Sequence, residues 1–311
     1  MLGWIAPTDP DWFEFLSKHA PLEEVNFWTP SSHFTFRAEP GTPFLFKLKA
    51  PHKAVAGFGY FQRYDALPEW LAWETFGQAN GAPSFEAMKT RLDRIRQRNR
   101  METSADLQQI GCIILAQPVF LPRELWTPQP SNWPWRNLRP MRYDLTVAEG
   151  KRVWDHCLPA AVAVGDAEPL GAGEWPAERF GDAVLVRPRL GQGAFRLAVT
   201  AAYGRACAMT GEHSLPALES AHIRPFSEGG PHDLSNGLLL RSDLHRLFDR
   251  GYVTVRPDYS IAVSGLLKEH FKNGKSYYPL KDKKLVALPE RLADRPDPEL
   301  LKWHYENRFL A

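Results

Sequence analysis

The stretch that decides the reading is ESAHIRPFSEGGPHDLSNGLLLRSDLHRLFDRG, residues 219–251, with three histidines, four arginines and three aspartates around a short leucine run. Charge of this density suits a solvated corner, but the order of the residues does not. ALESAHI (217–223) has the length and apolar content of a strand, Gly229-Gly230 marks a loop, and NGLLL (236–240) opens a second strand. SDLHRLFDRG (242–251) then spaces its leucines helically and ends at Gly251. On that helix His245 and Asp249 are four apart, so they share a face and can grip one ion. An imidazole with a carboxylate suits a divalent cation, with water filling open positions. His222 titrates near neutrality and can act as a base toward water, while Asn236 is neutral and has both donor and acceptor groups.

This arrangement resembles the HNH (ββα-metal) endonucleases, in the restriction-type subgroup. The resemblance is carried by A-H-I-x-P at 221–225, Gly229-Gly230, N-G-L-L-L, and the D-L-H-R-L-F-D helix. His222, Asn236 and His245 follow one another at intervals of 14 and 9 residues. It extends upstream through RLGQGAFR (189–196) and CAMTGE (207–212), and downstream to FDRGYVTV. The resemblance implies a catalytic set of His222, Asn236 and His245. His222 would be the general base, and Asn236 would hold the loop and orient the base or the phosphate. His245 and Asp249 would ligate Mg²⁺ or Mn²⁺, and Arg241 and Arg246 would neutralise phosphate oxygens. The family often places an aspartate just before the base, where this chain has Ala221; the ion then depends on His245 and Asp249 alone, or on Glu219. A binding-only site is the alternative that Ala221 favours. Paired CxxC knuckles are also common in the family, and the lone Cys207 argues against a structural zinc.

The remaining composition bounds the molecule. At 311 residues two domains are expected, and 44% apolar with 24% charged residues is the balance of a globular chain. Cys112, Cys157 and Cys207 form no disulfide framework, which suits a reducing compartment. MLGWIAPTDPDW lacks the basic and apolar regions of a signal peptide, and no apolar run is long enough to span a membrane. A cytoplasmic protein with no membrane partner is expected. Net charge is only +2, and residues 181–311 carry 19 Lys+Arg against 15 Asp+Glu, a mild bias toward a polyanion.

The expected fold class is α+β in two domains. Residues 1–145 form a β-barrel-type α+β domain, 146–181 a Pro/Gly-rich linker, and 182–311 the ββα-metal domain, opened by a strand at 183–189 and a helix at 193–211. In the first domain WIAP (4–7), PFLFKLK (43–49), AVAGFGYF (54–61) and IGCIILAQPVFL (110–121) read as strands. FEAMKTRLDRIRQRNR (85–100) reads as an amphipathic helix with a basic outer face, either solvated or tracking phosphates. The order of WIAP, helix, GxPFLFKLK and AVAGFGYF resembles PUA/EVE/SRA-like readers, which accept a flipped, modified base. Such a pocket needs an aromatic floor and polar groups for the base edge. FWTPSSHF (27–34), read as a loop, offers Phe27, Trp28, Ser31 and Ser32.

The two resemblances together imply a modification-dependent DNA endonuclease acting on double-stranded DNA that carries 5-methyl- or 5-hydroxymethylcytosine. A homodimer would supply two sites for a double-strand cut. The alternatives are an HNH nuclease that cuts or nicks unmodified DNA, or a non-catalytic DNA-binding regulator.

Overall fold

The computed structural model describes residues 1–33, 35–98, 109–163 and 191–311. It divides into two compact units, Met1–Gly191 and Gln192–Ala311. Both are mixed α and β. Among the described residues no helix is long and apolar enough to cross a membrane.

The first unit runs β1 (Leu2–Thr8), α1 (Pro10–Ser17), β2 (Glu24–Thr29), β3 (Pro43–Leu48) and β4 (Ala54–Pro68). It continues with α2 (Glu69–Phe76), α3 (Phe85–Arg98), β5 (Gln109–Phe120), β6 (Thr127–Pro128), β7 (Met141–Asp144) and α4 (Ala148–Ala163). The strands form one sheet in the order β2-β5-β4-β3-β1-β7, with β6 on β4. Only β1 and β3 pair in parallel. The barrel-type expectation needs correction here. β7 adds to β1 and β2 pairs only with β5, so the described strands leave two open ends and no closed barrel.

Both faces of this sheet are covered, which is why PFLFKL reads as an unbroken buried run rather than an alternation. Phe44 and Phe46 point into an aromatic cluster with Trp12 and Phe13 of α1, Phe36, Phe61 and Phe120. Ile5, Leu45, Val55 and Phe58 face the other way, onto Trp133, Tyr143 and the α4 residues Val153, Trp154 and Cys157. The compact body therefore runs past residue 145, through the helix that opens the stretch read as linker. The rest of that stretch, and the strand expected at 183–189, lie outside the described residues.

The basic face of α3 is partly structural. Arg96 is 5% exposed, paired with Glu69 and hydrogen-bonded to the Pro30 carbonyl. Arg91 donates to the Gly81 carbonyl at 2.6 Å. Lys89, Arg94 and Arg98 remain exposed.

The second unit runs α5 (Gln192–Ala202), β8 (Leu218–His222), β9 (Gly237–Arg241) and α6 (Ser242–Asp249). β10 (Val253–Val255), β11 (Ile261–Val263), α7 (Leu266–Phe271) and α8 (Pro298–Asn307) follow. The helix expected over 193–211 stops at Ala202, because Gly204 and Arg205 both turn to positive φ. β8 and β9 pair antiparallel, with Leu218 opposite Arg241 and His222 opposite Gly237. Leu238, Leu239, Leu240, Leu244 and Phe248 are fully buried. At about 2 kcal/mol for each such side chain, this run anchors the hairpin and α6.

Candidate active site

Strand alternation sorts the β8 side chains onto two faces. Ser220 and His222 turn toward α5: Ser220 Oγ donates to the Arg196 carbonyl at 3.1 Å, and the His222 ring stacks on Phe195 at 3.9 Å and 8°. Glu219 and Ala221 turn the other way, toward α6. Ala221 is fully buried there, and Glu219, two residues earlier on the same face, brings the carboxylate.

That carboxylate meets His245. Its Oε2 lies 2.7 Å from His245 Nδ1, while His245 Nε2 lies 3.4 Å from Asp249 Oδ2 on the next helical turn. A proton on Nδ1, held by Glu219, leaves the Nε2 lone pair facing Asp249, the arrangement that second-shell carboxylates impose on metal-bound histidines. Two donors 3.4 Å apart can both reach one divalent cation at roughly 2.1 Å. The donor set therefore fits a cation held by His245 and Asp249, with water completing the shell. Among the described residues no three His, Cys, Asp or Glu side chains form a ready-made cage.

Asn236 is fully buried. Its Nδ2 donates to the carbonyls of Arg224 (2.9 Å) and Pro231 (2.8 Å), and its Oδ1 accepts from the Arg224 N–H (2.9 Å). Both amide hydrogens are spent on the loop between β8 and β9. These bonds fit the loop-holding role expected of Asn236 and leave no amide hydrogen for a phosphate. The loop needs its glycines for the same close packing. Gly229 has φ +80°, and a Cβ on Gly230 would sit 1.9 Å from the Arg224 carbonyl oxygen.

Arg241 needs correction. Its guanidinium makes a two-pronged pair with Asp243, at 3.0 and 2.6 Å, and Tyr277 donates to the same carboxylate at 3.2 Å. Its charge is neutralised within the protein, whereas Arg246 is exposed on α6.

The environment of His222 includes residues that sequence reasoning passed over. His232 packs edge-on to His222 with ring centroids 5.5 Å apart, and tilts over Phe226 at 4.5 Å. His222 Nε2 and His232 Nδ1 are both buried without a hydrogen-bond partner among the described residues. Burial, then the charges of His232 and His245, pushes the His222 imidazole down to about 4. It is therefore neutral, with a lone pair available, across the physiological range. Arg224 lies over the Trp303 ring at 5.1 Å, and Arg308 pairs with Glu228, so α8 braces the loop from outside. The only sequence signal for these contacts was the position of His232 inside the Gly-Gly loop; Trp303 gave none.

In the first unit, Phe27 and Trp28 lie on β2 rather than in a loop, with Trp28 opposite Cys112 of β5. Phe27 is partly buried against the aromatic cluster, edge-on to Trp12 at 5.4 Å and to Phe44 at 5.0 Å. Trp28 donates its indole N–H to the Asn80 carbonyl at 2.9 Å and stays half-buried. Ser31 Oγ lies 2.6 Å from His33 Nδ1, and Ser32 follows it on the same half-buried turn.

Comparison with known proteins agrees on the second unit. The family model for HNH endonuclease matches residues 207–256. No curated protein matches the chain. Among solved structures, the ASCH protein of Zymomonas mobilis is 11% identical with a TM-score of 0.33, over 49% of this chain and 94% of its own. A modification-dependent restriction endonuclease, TagI, is 12% identical with a TM-score of 0.28, over 91% of this chain and 74% of its own. The residues that match the HNH endonuclease model, 207–256, are thus those that contain the hairpin, the clamped loop and the His245 helix.

Proposed function

We propose that the chain is a restriction-type DNA endonuclease that hydrolyses a phosphodiester with one divalent cation, Mg²⁺ or Mn²⁺, after its first unit has read a modified base. The observation that carries the nuclease reading is the Glu219–His245–Asp249 series beside a loop clamped by Asn236. It supplies a cation site with a fixed histidine tautomer on α6 and on β8, the strand that also carries His222.

His222, held neutral, accepts a proton from the attacking water. His245 Nε2 and Asp249 hold the cation, whose chemistry when bound is charge stabilisation at the phosphate and the leaving 3′ oxygen. Glu219 keeps the proton on His245 Nδ1. Arg246, exposed on α6, is placed to meet a phosphate oxygen. Recognition of 5-methyl- or 5-hydroxymethylcytosine rests on the sequence resemblance of residues 1–145 to PUA/EVE/SRA-like readers, with Trp28, Ser31 and Ser32 as base contacts. Two copies would cut both strands.

The test is incubation with Mg²⁺ or Mn²⁺ on matched unmodified and cytosine-modified DNA. Cutting of modified DNA alone, lost with chelator and restored by either ion, is the expected result. Cutting of both substrates would restrict the reading to a nuclease without modification dependence. Tight binding without cutting under any divalent ion would leave a DNA-binding regulator.

A further inference from the structure

The Lys47 side chain of β3 is largely buried, the residue 6% exposed, and it lines an open pocket. Alternation along β3 sends it to the same face as Leu45, against Trp133, and its Nζ lies 4.9 Å from that ring's centroid. No ion pair among the described residues includes it. Burial first, then the charges of Lys53 and Lys49, pushes its pKa down. Lys49 is held by Asp9 at 2.9 Å. Lys53 Nζ lies 5.2 Å from the centroid of Trp135 and joins no ion pair among the described residues.

These groups line one open pocket of about 210 Å³, together with Gln129 and Arg136 and without any Asp or Glu. A cation over an indole gains roughly 0.5–2 kcal/mol. An ammonium taken out of water loses several kcal/mol unless an opposite charge meets it. Adjacent lysines sharpen that imbalance, and an anion in the pocket would relieve it. Two further features narrow the anion. Trp135 is 79% exposed, its ring presented by the turn in which Asn137 N–H donates to the Pro134 carbonyl. Gln129 lines the pocket, and its Oε1 has no hydrogen-bond partner among the described residues. A ligand with a phosphate for the lysines, a flat face for the indole and an amino group for the amide is a nucleotide.

We propose that this pocket docks a backbone phosphate of DNA onto Lys47 and Lys53, with the adjoining nucleotide stacked on Trp135. The site is separate from the residues named for the modified base, and the choice of DNA rests on the endonuclease reading.

The experiment uses the full chain in EDTA, so that no cutting intervenes, with a fluorescein-labelled unmodified duplex followed by anisotropy at several salt concentrations. Lys53→Ala and Trp135→Ala alter exposed positions and leave the core intact, while Lys47→Met keeps the stem that packs on Trp133. The expected result is binding roughly tenfold weaker for Lys53→Ala and for Trp135→Ala. Lys47→Met should also lower the slope of log K against log salt by about one. Calorimetry with inorganic phosphate and with a deoxynucleoside monophosphate separates the sources. If wild type binds DNA and all three variants match it in affinity and slope, the pocket assignment is overturned while the nuclease reading stands. Monophosphate binding that is lost in Lys53→Ala while DNA affinity is unchanged would overturn it in favour of a small phosphorylated ligand. If wild type binds no DNA, both readings fall.

Discussion

The two units build their polar sites in opposite ways. In the second, Glu219, His222, Asn236, His245 and Asp249 come from one hairpin and the helix that follows it, within about thirty residues of chain. In the first, the Lys47 pocket gathers Pro7 at the end of β1, the lysines of β3 and its following turn, and the strap from Gln129 to Leu138. In the local site the groups that hold the scaffold are paired, Asn236 with the loop and Arg241 with Asp243, while His222 Nε2 and His232 Nδ1 are left without hydrogen-bond partners among the described residues. The long-range one leaves Gln129 Oε1 without a hydrogen-bond partner and Lys47 without an ion pair among the described residues. A site whose scaffold is satisfied internally is rigid and shows its chemistry only with substrate and metal. A site with unbalanced charge signals its ligand directly.

The largest effect should come from the local site. His245→Ala removes the cation's nitrogen ligand, and DNA cleavage should fall on the order of 10³-fold with circular dichroism unchanged. Retained cleavage would move the cation elsewhere and break the contrast at its root. His222→Ala should cost on the order of 10²–10⁴-fold, and intact cleavage there would remove the base assignment.

Asn236→Ala tests the saturation itself. It strands the Arg224 N–H and carbonyl and the Pro231 carbonyl, and denaturant unfolding should report a loss of about 3 kcal/mol. A loss below ~1 kcal/mol would mean that the loop does not depend on its clamp.

A comparable effect is expected with pH. His304 of α8 is 2% exposed, stacked on Phe248 at 3.7 Å, and burial pushes it from 6.5 down to about 4. Above pH 6.5 it is neutral in both folded and unfolded chains, and its contribution is fully present. As pH falls from 6.5 toward 4 the unfolded chain takes up a proton that the folded one refuses. The His304 contribution should drop by about 3 kcal/mol over that window and change no further below it. Denaturation midpoints at pH 7 and 4.5 measure the drop, and His304→Gln should shrink it; an undiminished drop in that variant would assign the loss to other groups, His222 first.

Glu219→Gln gives the smallest effect. It keeps the shape but weakens the hold on His245 Nδ1, so 10–100-fold more metal should be needed for half-maximal cleavage, with the maximal rate less affected. An unchanged metal requirement would show that Asp249 and His245 hold the cation without a second shell.

The site in the second unit was largely legible because it is contiguous. Strand, Gly-Gly loop, strand and helix follow in order, and the i, i+4 spacing of His245 and Asp249 places them on one face wherever the helix sits. Ala221 shows what single positions hide. As a residue it looks like a missing ligand; on the strand it shares a face with Glu219, which reaches His245 instead. Phe27 and Trp28 were read as loop residues because of the Pro and Ser that follow them. Pairing with β5, more than eighty residues away, makes them strand residues.

The order of elements, the ββα register and the shared helix face of His245 and Asp249 were thus set by the sequence alone, since helix and strand periodicity act over a few residues. Tertiary structure decided which polar groups stay available. It committed Asn236 and Arg241, stacked His232 against His222, left the sheet of the first unit open, and buried Lys47 without a counter-charge. The reason is physical: periodicity is a property of neighbours along the chain, whereas hydrogen-bond saturation and desolvation depend on every group that packs around a site.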